Sequence, residues 1–117
     1  MIEFIYYPKC STCIRALKHL ESKNISIKKR DIVNETPNKE ELIKWIQQYG
    51  KGIKPFFNTS GQVYRQMNLK ERINDLSVEE AATLLASNGM LIKRPLLISD
   101  DKIIIGYKSE KYEQEGF

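Results

Sequence analysis

The stretch FIYYPKCSTCIRALKHL, residues 4–20, decides how the rest of the chain is interpreted. It begins within an apolar, β-branched and aromatic run, Ile2–Tyr7, which Pro8 closes, and this predicts a buried strand. Over residues 11–23 the apolar side chains recur at helical spacing, and alternating apolar residues over 25–32 predict a second strand. A strand, a helix and a strand in about thirty residues make a right-handed βαβ unit with parallel strands.

The middle of the chain predicts a block of helices. Residues 36–52 read TPNKEELIKWIQQYGKG, which predicts a helix that Thr36 or Asn38 caps and Gly50 ends. The early acidic residues of this stretch suit the positive end of a helix dipole. Short and broken patterns over residues 55–76 predict small helices joined by turns.

Two further elements and a terminal segment follow the block of small helices. Ser77 and Glu80 form a capping box at the start of a helix, and Gly89 follows its end. Residues 94–107 read RPLLISDDKIIIGY, with two apolar runs on either side of a pair of aspartates, which predicts an antiparallel hairpin. From about Ser109 the sequence is polar and is expected to form a short helix or a tail.

The element order is β-α-β, a helical insert, and then β-β-α. This order predicts an α/β protein with a thioredoxin-like mixed β-sheet and an inserted all-helical subdomain. We expect a single domain over residues 1–117. Its thioredoxin-like core should comprise about residues 1–35 and 90–117, and its helical insert about residues 36–89.

The composition restricts the function classes. The chain has 117 residues, of which 41% are hydrophobic and 29% charged, and the net charge is +4; these values are typical of one globular domain. No apolar run could span a membrane, and Glu3 interrupts the only candidate for a signal segment, so we expect a cytoplasmic protein. No DNA-binding helix or strongly basic face is evident, so we expect no direct DNA binding. No long exposed apolar helix requires a partner, so we expect a monomer.

The two cysteines of the chain, Cys10 and Cys13, are expected at the first turn of the first helix. Unpaired N–H groups and the positive end of the helix dipole stabilise a thiolate there, and Lys9 and Arg15 add positive charge nearby. Cys10 is therefore predicted to attack as the thiolate. Cys13, one turn further along and more covered, is predicted to resolve the resulting intermediate.

Two other interpretations of the cysteine pair are weighed against redox chemistry. A structural zinc site needs four ligands, and the single His19 is the only other soft ligand; we expect it on the solvent side of its helix, and we predict no metal site. Burial as two inert thiols fits poorly with a position at a helix start after Pro8. A Cys-x-x-Cys pair between a strand and a helix favours redox chemistry.

Arg94 and Pro95 precede the predicted hairpin. In a thioredoxin-like sheet, the loop before the third strand carries a proline that faces the cysteine pair, often with a cis peptide bond. Arg94 would then direct its guanidinium toward Cys10, where it could lower the thiol pKa or bind an anionic substrate. The alternative is an exposed arginine beside an ordinary turn proline.

The stretch FFNTSGQVYRQMN, residues 56–68, contains small polar groups and a permissive glycine. Asn58, Ser60 and Arg65 are candidate substrate-binding residues, because such a loop can hold an anion or a thiol partner. Pro95 is a further candidate, because it is expected to face the cysteine pair. The alternative is a capped loop that enters a short helix.

With Cys10 at the first helix, NTSG…YR in mid-chain and LIKRPLL ahead of the hairpin, the chain resembles the arsenate reductase/Spx (ArsC-like) family over residues 2–110. The resemblance implies a thioredoxin-like core with an inserted helical domain. It gives Cys10 the place of the catalytic cysteine, and Arg94 that of the active-site arginine before a cis proline at Pro95. The implied function is a thiol–disulfide oxidoreductase that reduces a disulfide or an oxyanion such as arsenate.

The resemblance also implies partners. No bound cofactor is expected, and the electrons would come from an external thiol: glutaredoxin, thioredoxin or a low-molecular-weight thiol. Glutaredoxin-coupled arsenate reductases carry further arginines where this sequence has Asn58 and Tyr107, and they lack a cysteine at the position of Cys13. Spx-type regulators have the Cys-x-x-Cys switch and bind the α subunit of RNA polymerase. Gly52 lies where they carry an interaction glycine, so a redox-sensing transcriptional regulator is the alternative function.

Overall fold

The computed structural model describes all 117 residues, which form two compact units. The first unit comprises residues 1–31 and 94–117, and the second comprises residues 32–93. The strands are β1 (Glu3–Tyr6), β2 (Lys28–Asp31), β3 (Leu96–Ile98) and β4 (Ile103–Ile105). The α-helices are α1 (Ser11–Ser22), α2 (Lys39–Tyr49), α3 (Gln62–Gln66), α4 (Leu69–Arg72), α5 (Val78–Ser87) and α6 (Ser109–Gln114).

The first unit contains a four-stranded mixed sheet in the order β2-β1-β3-β4. β1 runs parallel to β2, with Phe4 opposite Lys29, and antiparallel to β3, with Phe4 opposite Leu97. β3 and β4 form the antiparallel hairpin, in which Leu97 lies opposite Ile104. The thioredoxin-like mixed sheet predicted from the element order is confirmed.

β2 is shorter than the strand predicted over residues 25–32. Asn24 has a left-handed backbone (φ +56°), and the Ile25 N–H donates to the Leu20 carbonyl at 3.1 Å, so this amide still belongs to the end of α1. Pairing with β1 begins only where the Lys28 N–H donates to the Ile2 carbonyl at 2.8 Å. The end of α1 therefore takes Ile25, the first residue of the predicted strand.

The core of the first unit lies between the sheet and its two helices. Phe4, Leu97 and Ile104 come from the sheet, and they pack with residues of α1 and α6 that are also buried: Ala16, Leu20 and Tyr112. Because Ala16 and Leu20 of α1 pack with Phe4 of β1, the apolar stripe of α1 holds this helix beside the strand that precedes it. No helix in the chain combines the length and the apolar character that a membrane span requires.

In the second unit, α2 packs against α5, and both helices begin with a capping box. The Asn38 side chain accepts from the Glu41 N–H at 2.8 Å, so Asn38 is the cap of α2 rather than Thr36. Gly50 ends α2 in the left-handed conformation at φ +73°. The Ser77 hydroxyl caps α5 by accepting from the Glu80 N–H at 3.0 Å, as predicted.

Candidate active site

Cys10 occupies the N-cap position of α1. Its N–H donates to the Tyr7 carbonyl at 3.0 Å, and its carbonyl accepts from the Ile14 N–H at 3.1 Å in the first hydrogen bond of the helix. The backbone at Cys10 is extended, at φ −94° and ψ 118°. The side chain of an N-cap residue lies next to the free N–H groups of the first helical turn. The Cys10 side chain is only half-buried, so solvent can also reach its sulfur.

The pKa of Cys10 lies below its ordinary value of 9.0. Burial of the sulfur opposes ionisation, and the groups around it outweigh that effect. These groups are the N–H and the thiol of Cys13, the guanidinium of Arg94 and the N–H of Thr12. Thiolate stabilisation at Cys10 therefore has two sources, the first turn of α1 and a side chain from the loop before β3.

Cys13 differs from Cys10 in its surroundings, although only one turn of helix separates them. Its side chain is fully buried, and its sulfur accepts from the Tyr7 N–H at 3.5 Å. Burial, together with the neighbouring Cys10 sulfur, raises the pKa of Cys13 to about 12, although the Tyr7 N–H and Arg94 act in the opposite direction. Both cysteines are free thiols, one with a lowered pKa and the other with a raised pKa.

Arg94 lies in the loop before β3, and its guanidinium hydrogen-bonds to the Cys10 sulfur and stabilises the thiolate. The guanidinium carbon also lies 5.3 Å from the centroid of the Tyr7 ring, a cation–π arrangement that holds the side chain over β1's end. The Arg94–Pro95 peptide bond is cis, and Pro95 is buried. The sequence does not mark Tyr7 as a site residue, apart from its position directly before Pro8.

Asn58, Ser60 and Arg65 lie in the second unit, whereas Cys10, Cys13, Arg94 and Pro95 lie in the first. The Arg65 guanidinium donates to the Ser60 carbonyl at 3.0 Å, which closes the loop before α3. The Asn58 side chain lies against Gly61, where a Cβ atom would approach its amide nitrogen to 2.7 Å. These contacts show how the loop is held together.

The expectation that His19 faces solvent is wrong. Its Nε2–H donates to the Phe117 carbonyl at 3.1 Å, so its Nδ1 accepts from the Tyr107 hydroxyl at 3.0 Å. The ring is half-buried and also meets Tyr112 edge-on at 5.4 Å. All three partners come from the C-terminal part of the chain, so the spacing along α1 gave no sign of them.

The described side chains contain no group of three or more His, Cys, Asp and Glu residues that could hold a metal ion. The arrangement at Cys10 instead suits nucleophilic sulfur chemistry. A half-buried thiol of lowered pKa can attack, a buried thiol next to it can displace the product, and a cation lies beside the attacking sulfur.

The chain is similar to one protein family and to several known proteins. A family model described as the ArsC family matches residues 5–115. The uncharacterized protein YusI of Bacillus subtilis is 44% identical over 113 residues, which covers 97% of this chain and 96% of YusI. The regulatory protein MgsR of the same organism is 31% identical over 106 residues, which covers 91% of this chain and 82% of MgsR.

A solved structure is similar over the whole chain. It is described as the crystal structure of "a possible arsenate reductase from Streptococcus mutans UA159". Its TM-score is 0.93 at 47% sequence identity, and the match covers 100% of this chain and 98% of that one. The fold of both units is therefore that of an existing crystal structure.

Proposed function

Because the chain belongs to the ArsC family, we propose that it is a thiol–disulfide oxidoreductase in which Cys10 attacks and Cys13 resolves. The observation that carries the proposal is the divergence of the two thiols. The pKa of Cys10 is lowered at a half-buried position, and the pKa of its buried neighbour Cys13 is raised to about 12. Groups with divergent pKa values at one site are assigned to different steps of a reaction.

The reaction proceeds in two exchanges. The Cys10 thiolate attacks one sulfur of a substrate disulfide, a bond to Cys10 forms, the substrate S–S bond breaks, and the released thiolate takes a proton from water. Cys13 then loses its proton to solvent and attacks the Cys10 sulfur, which releases the second substrate thiolate and leaves a Cys10–Cys13 disulfide. The substrate gains two electrons, and an external thiol (glutaredoxin, thioredoxin or a low-molecular-weight thiol) later returns them to the pair.

A disulfide is a better substrate for this site than an oxyanion. Asn58 and Tyr107 stand where the resemblance places additional arginines of arsenate reductases. The Tyr107 hydroxyl bonds to His19, and the Asn58 amide packs on Gly61, so neither brings positive charge. Arg94 is the guanidinium that meets Cys10, and it stabilises a sulfur anion there. If the protein is cytoplasmic, as the sequence predicts, the thiols of that compartment can return the electrons to the cysteine pair.

The test is turnover of a small disulfide, hydroxyethyl disulfide, and separately of arsenate, with a low-molecular-weight thiol or glutaredoxin as reductant. We expect disulfide turnover by the wild type, none by Cys10→Ser, and a trapped mixed disulfide at Cys10 in Cys13→Ser, detected by intact mass. Full turnover by Cys10→Ser with every substrate and reductant would overturn the proposal. Faster turnover of arsenate than of the disulfide would overturn the choice of substrate class.

The relationship to MgsR supports a second candidate function, because that relative carries the name of a regulatory protein. In this case, the Cys10–Cys13 disulfide would alter a surface that binds the α subunit of RNA polymerase, as the resemblance to Spx implies. A pull-down with the purified α subunit distinguishes the two functions. Retention that depends on the redox state favours the regulator, and absence of retention in both states argues against it.

A further inference from the structure

Tyr112 of α6 carries a buried hydroxyl that the proposed reaction does not yet use. The residue is fully buried in the core of the first unit, together with Phe4, Ala16 and Leu20. Its hydroxyl has no hydrogen-bond partner among the protein atoms, and it is the one buried side-chain oxygen or nitrogen in the chain of which this is true. An unpaired buried hydroxyl is unfavourable, so phenylalanine would fill the same space at less cost in free energy.

The ring of Tyr112 is held in place by other aromatic rings. Tyr107 meets it edge-on at 4.9 Å, His19 at 5.4 Å and Phe117 at 6.5 Å between centroids. The neighbouring His19 and Tyr107 are in turn joined by a hydrogen bond. This packing restricts the position of the phenol ring, and the polar atoms of His19 and Tyr107 bond to other groups rather than to the Tyr112 hydroxyl.

Cys13 lies on the buried face of α1 from which Ala16 and Leu20 enter this core. Cys13, Ala16 and Leu20 follow one another at helical spacing of three and four residues, and all three are fully buried. Burial raises the pKa of Tyr112, and the charges of Cys13 and Tyr107 raise it further, so the hydroxyl keeps its proton. A neutral O–H group thus lies near the place where the resolving step creates a buried anion.

We propose that Tyr112 is a positioning residue for Cys13, because its hydroxyl donates to the Cys13 sulfur while that sulfur is a thiolate. This inference rests on the proposed function. When Cys13 loses its proton to solvent, its sulfur has the Tyr7 N–H at 3.5 Å as a donor, and the unpaired Tyr112 hydroxyl becomes its second donor. Cys13 then attacks Cys10, the mixed disulfide breaks, and Tyr112 retains its proton throughout. The same donor assists the reverse step, in which an external thiolate attacks Cys10 and Cys13 leaves with the electron pair.

The experiment separates the two exchanges with the chromogenic disulfide dithiobis(nitrobenzoic acid) in stopped flow. The first coloured thiolate is released when Cys10 attacks, and the second when Cys13 resolves. In Tyr112→Phe we expect an unchanged first phase, a second phase slowed by about tenfold, and a pH profile of that phase displaced to higher pH, as expected on losing one hydrogen bond to a charged acceptor. Thermal unfolding should show equal or greater stability, because the variant lacks an unpaired buried hydroxyl.

Tyr64→Phe is the matched control, since Tyr64 is a buried tyrosine of the second unit with its ring against Phe57. It should leave both phases as in the wild type. A second phase of wild-type rate and pH profile in Tyr112→Phe would overturn the inference while leaving the proposed function intact. So would slowing of both phases together with a loss of stability, since that result indicates a purely structural role. A wild-type protein with no second phase would overturn both, because Cys13 would then take no part in exchange.

Discussion

Arg94 is the one side chain outside α1 that stabilises the Cys10 thiolate. Arg94→Gln removes its positive charge, so the pKa of Cys10 should rise. At a pH below the thiol pKa, the thiolate fraction, and with it the rate of alkylation by iodoacetamide, should fall about tenfold for each unit of increase. The measurement is the alkylation rate against pH, in which the buried Cys13 reacts slowly and Cys13→Ala provides a background free of it.

Arg72→Gln serves as the control for this measurement. The Arg72 guanidinium donates to the Met67 carbonyl at 3.0 Å in the second unit, so its removal changes the net charge by the same amount. Its alkylation profile should overlay that of the wild type. An equal loss of rate in both variants would mean that total charge, rather than contact with Arg94, lowers the pKa of Cys10.

The residues of the candidate site differ in how far their positions could be predicted from the sequence. The placement of Cys10 and Cys13 follows from local sequence, because an apolar strand, a proline and a helical stripe define the helix start. The approach of Arg94 could be inferred only through the fold, since the loop before β3 must lie beside β1's end. Tyr112 and the partners of His19 could not be predicted, because side-chain packing between α1 and the C-terminal segment has no signal in either stretch alone.

At the scale of the elements, the capping box of α5 makes a direct prediction. In Ser77→Ala the Glu80 N–H loses its acceptor, and the free energy of unfolding should fall by about 1 kcal/mol. Ser87→Ala, at the other end of the same helix, removes a hydroxyl that donates to the Leu84 carbonyl at 2.6 Å and should change stability by less than about 0.5 kcal/mol. Urea denaturation of both variants checks this, and equal losses would contradict a specific role of the cap.

A second element, the 3-10 turn Gly89–Leu91, requires glycine for reasons of space. A Cβ atom at position 89 would overlap the carbonyl oxygen of Ile32, which is backbone and cannot rotate away. Gly89→Ala should therefore destabilise the protein by about 2 kcal/mol or more. Gly61→Ala is the informative comparison, because the obstacle there is the Asn58 side chain; urea denaturation should show a smaller loss, and the reverse order would contradict this explanation.

Element types were more predictable than element limits. The capping residues and the left-handed Gly50 mark the ends of α2 and α5 because they satisfy backbone groups that the sequence itself identifies. The hydrophobic pattern places the start of β2 too early, because residues 25–27 alternate like a strand while the Ile25 amide completes the end of α1. The competition between a helix terminus and a strand is resolved by backbone hydrogen bonds that a hydrophobic pattern does not record.

At the scale of the molecule, the unit with the cysteines is assembled from the two ends of the chain. Residues 1–31 supply β1, α1 and β2, and residues 94–117 supply Arg94, the hairpin and α6. The strand order follows from the element order, because a right-handed βαβ unit and an antiparallel hairpin can combine in one sheet in only a few topologies. The consequence is that the protonation states of the two thiols are coupled to the folding of this unit as a whole.

The two thiols should give the reduced protein a stability that first rises and then falls with pH. Because the folded pKa of Cys10 is below 9.0, the unfolded chain binds more protons than the folded one between these two values, and the free energy of unfolding rises with pH in that window. Cys13 has the opposite sign: its folded pKa is about 12, so above pH 9.0 the unfolded chain ionises first and stability falls. Tyr112, whose pKa is raised above its ordinary value of 10.0, adds to the fall at higher pH.

Urea denaturation under a non-thiol phosphine reductant, from pH 6 to about pH 10.5, measures this profile. Cys10→Ser should remove the rise below pH 9, and Cys13→Ala should reduce the fall above it, whatever either substitution does to stability at neutral pH. Tyr112→Phe should reduce only the most alkaline part of the fall. Comparing slopes rather than absolute stabilities separates proton linkage from packing. A wild-type profile that keeps rising through pH 10 would contradict the assignment of a buried, protonated thiol to Cys13.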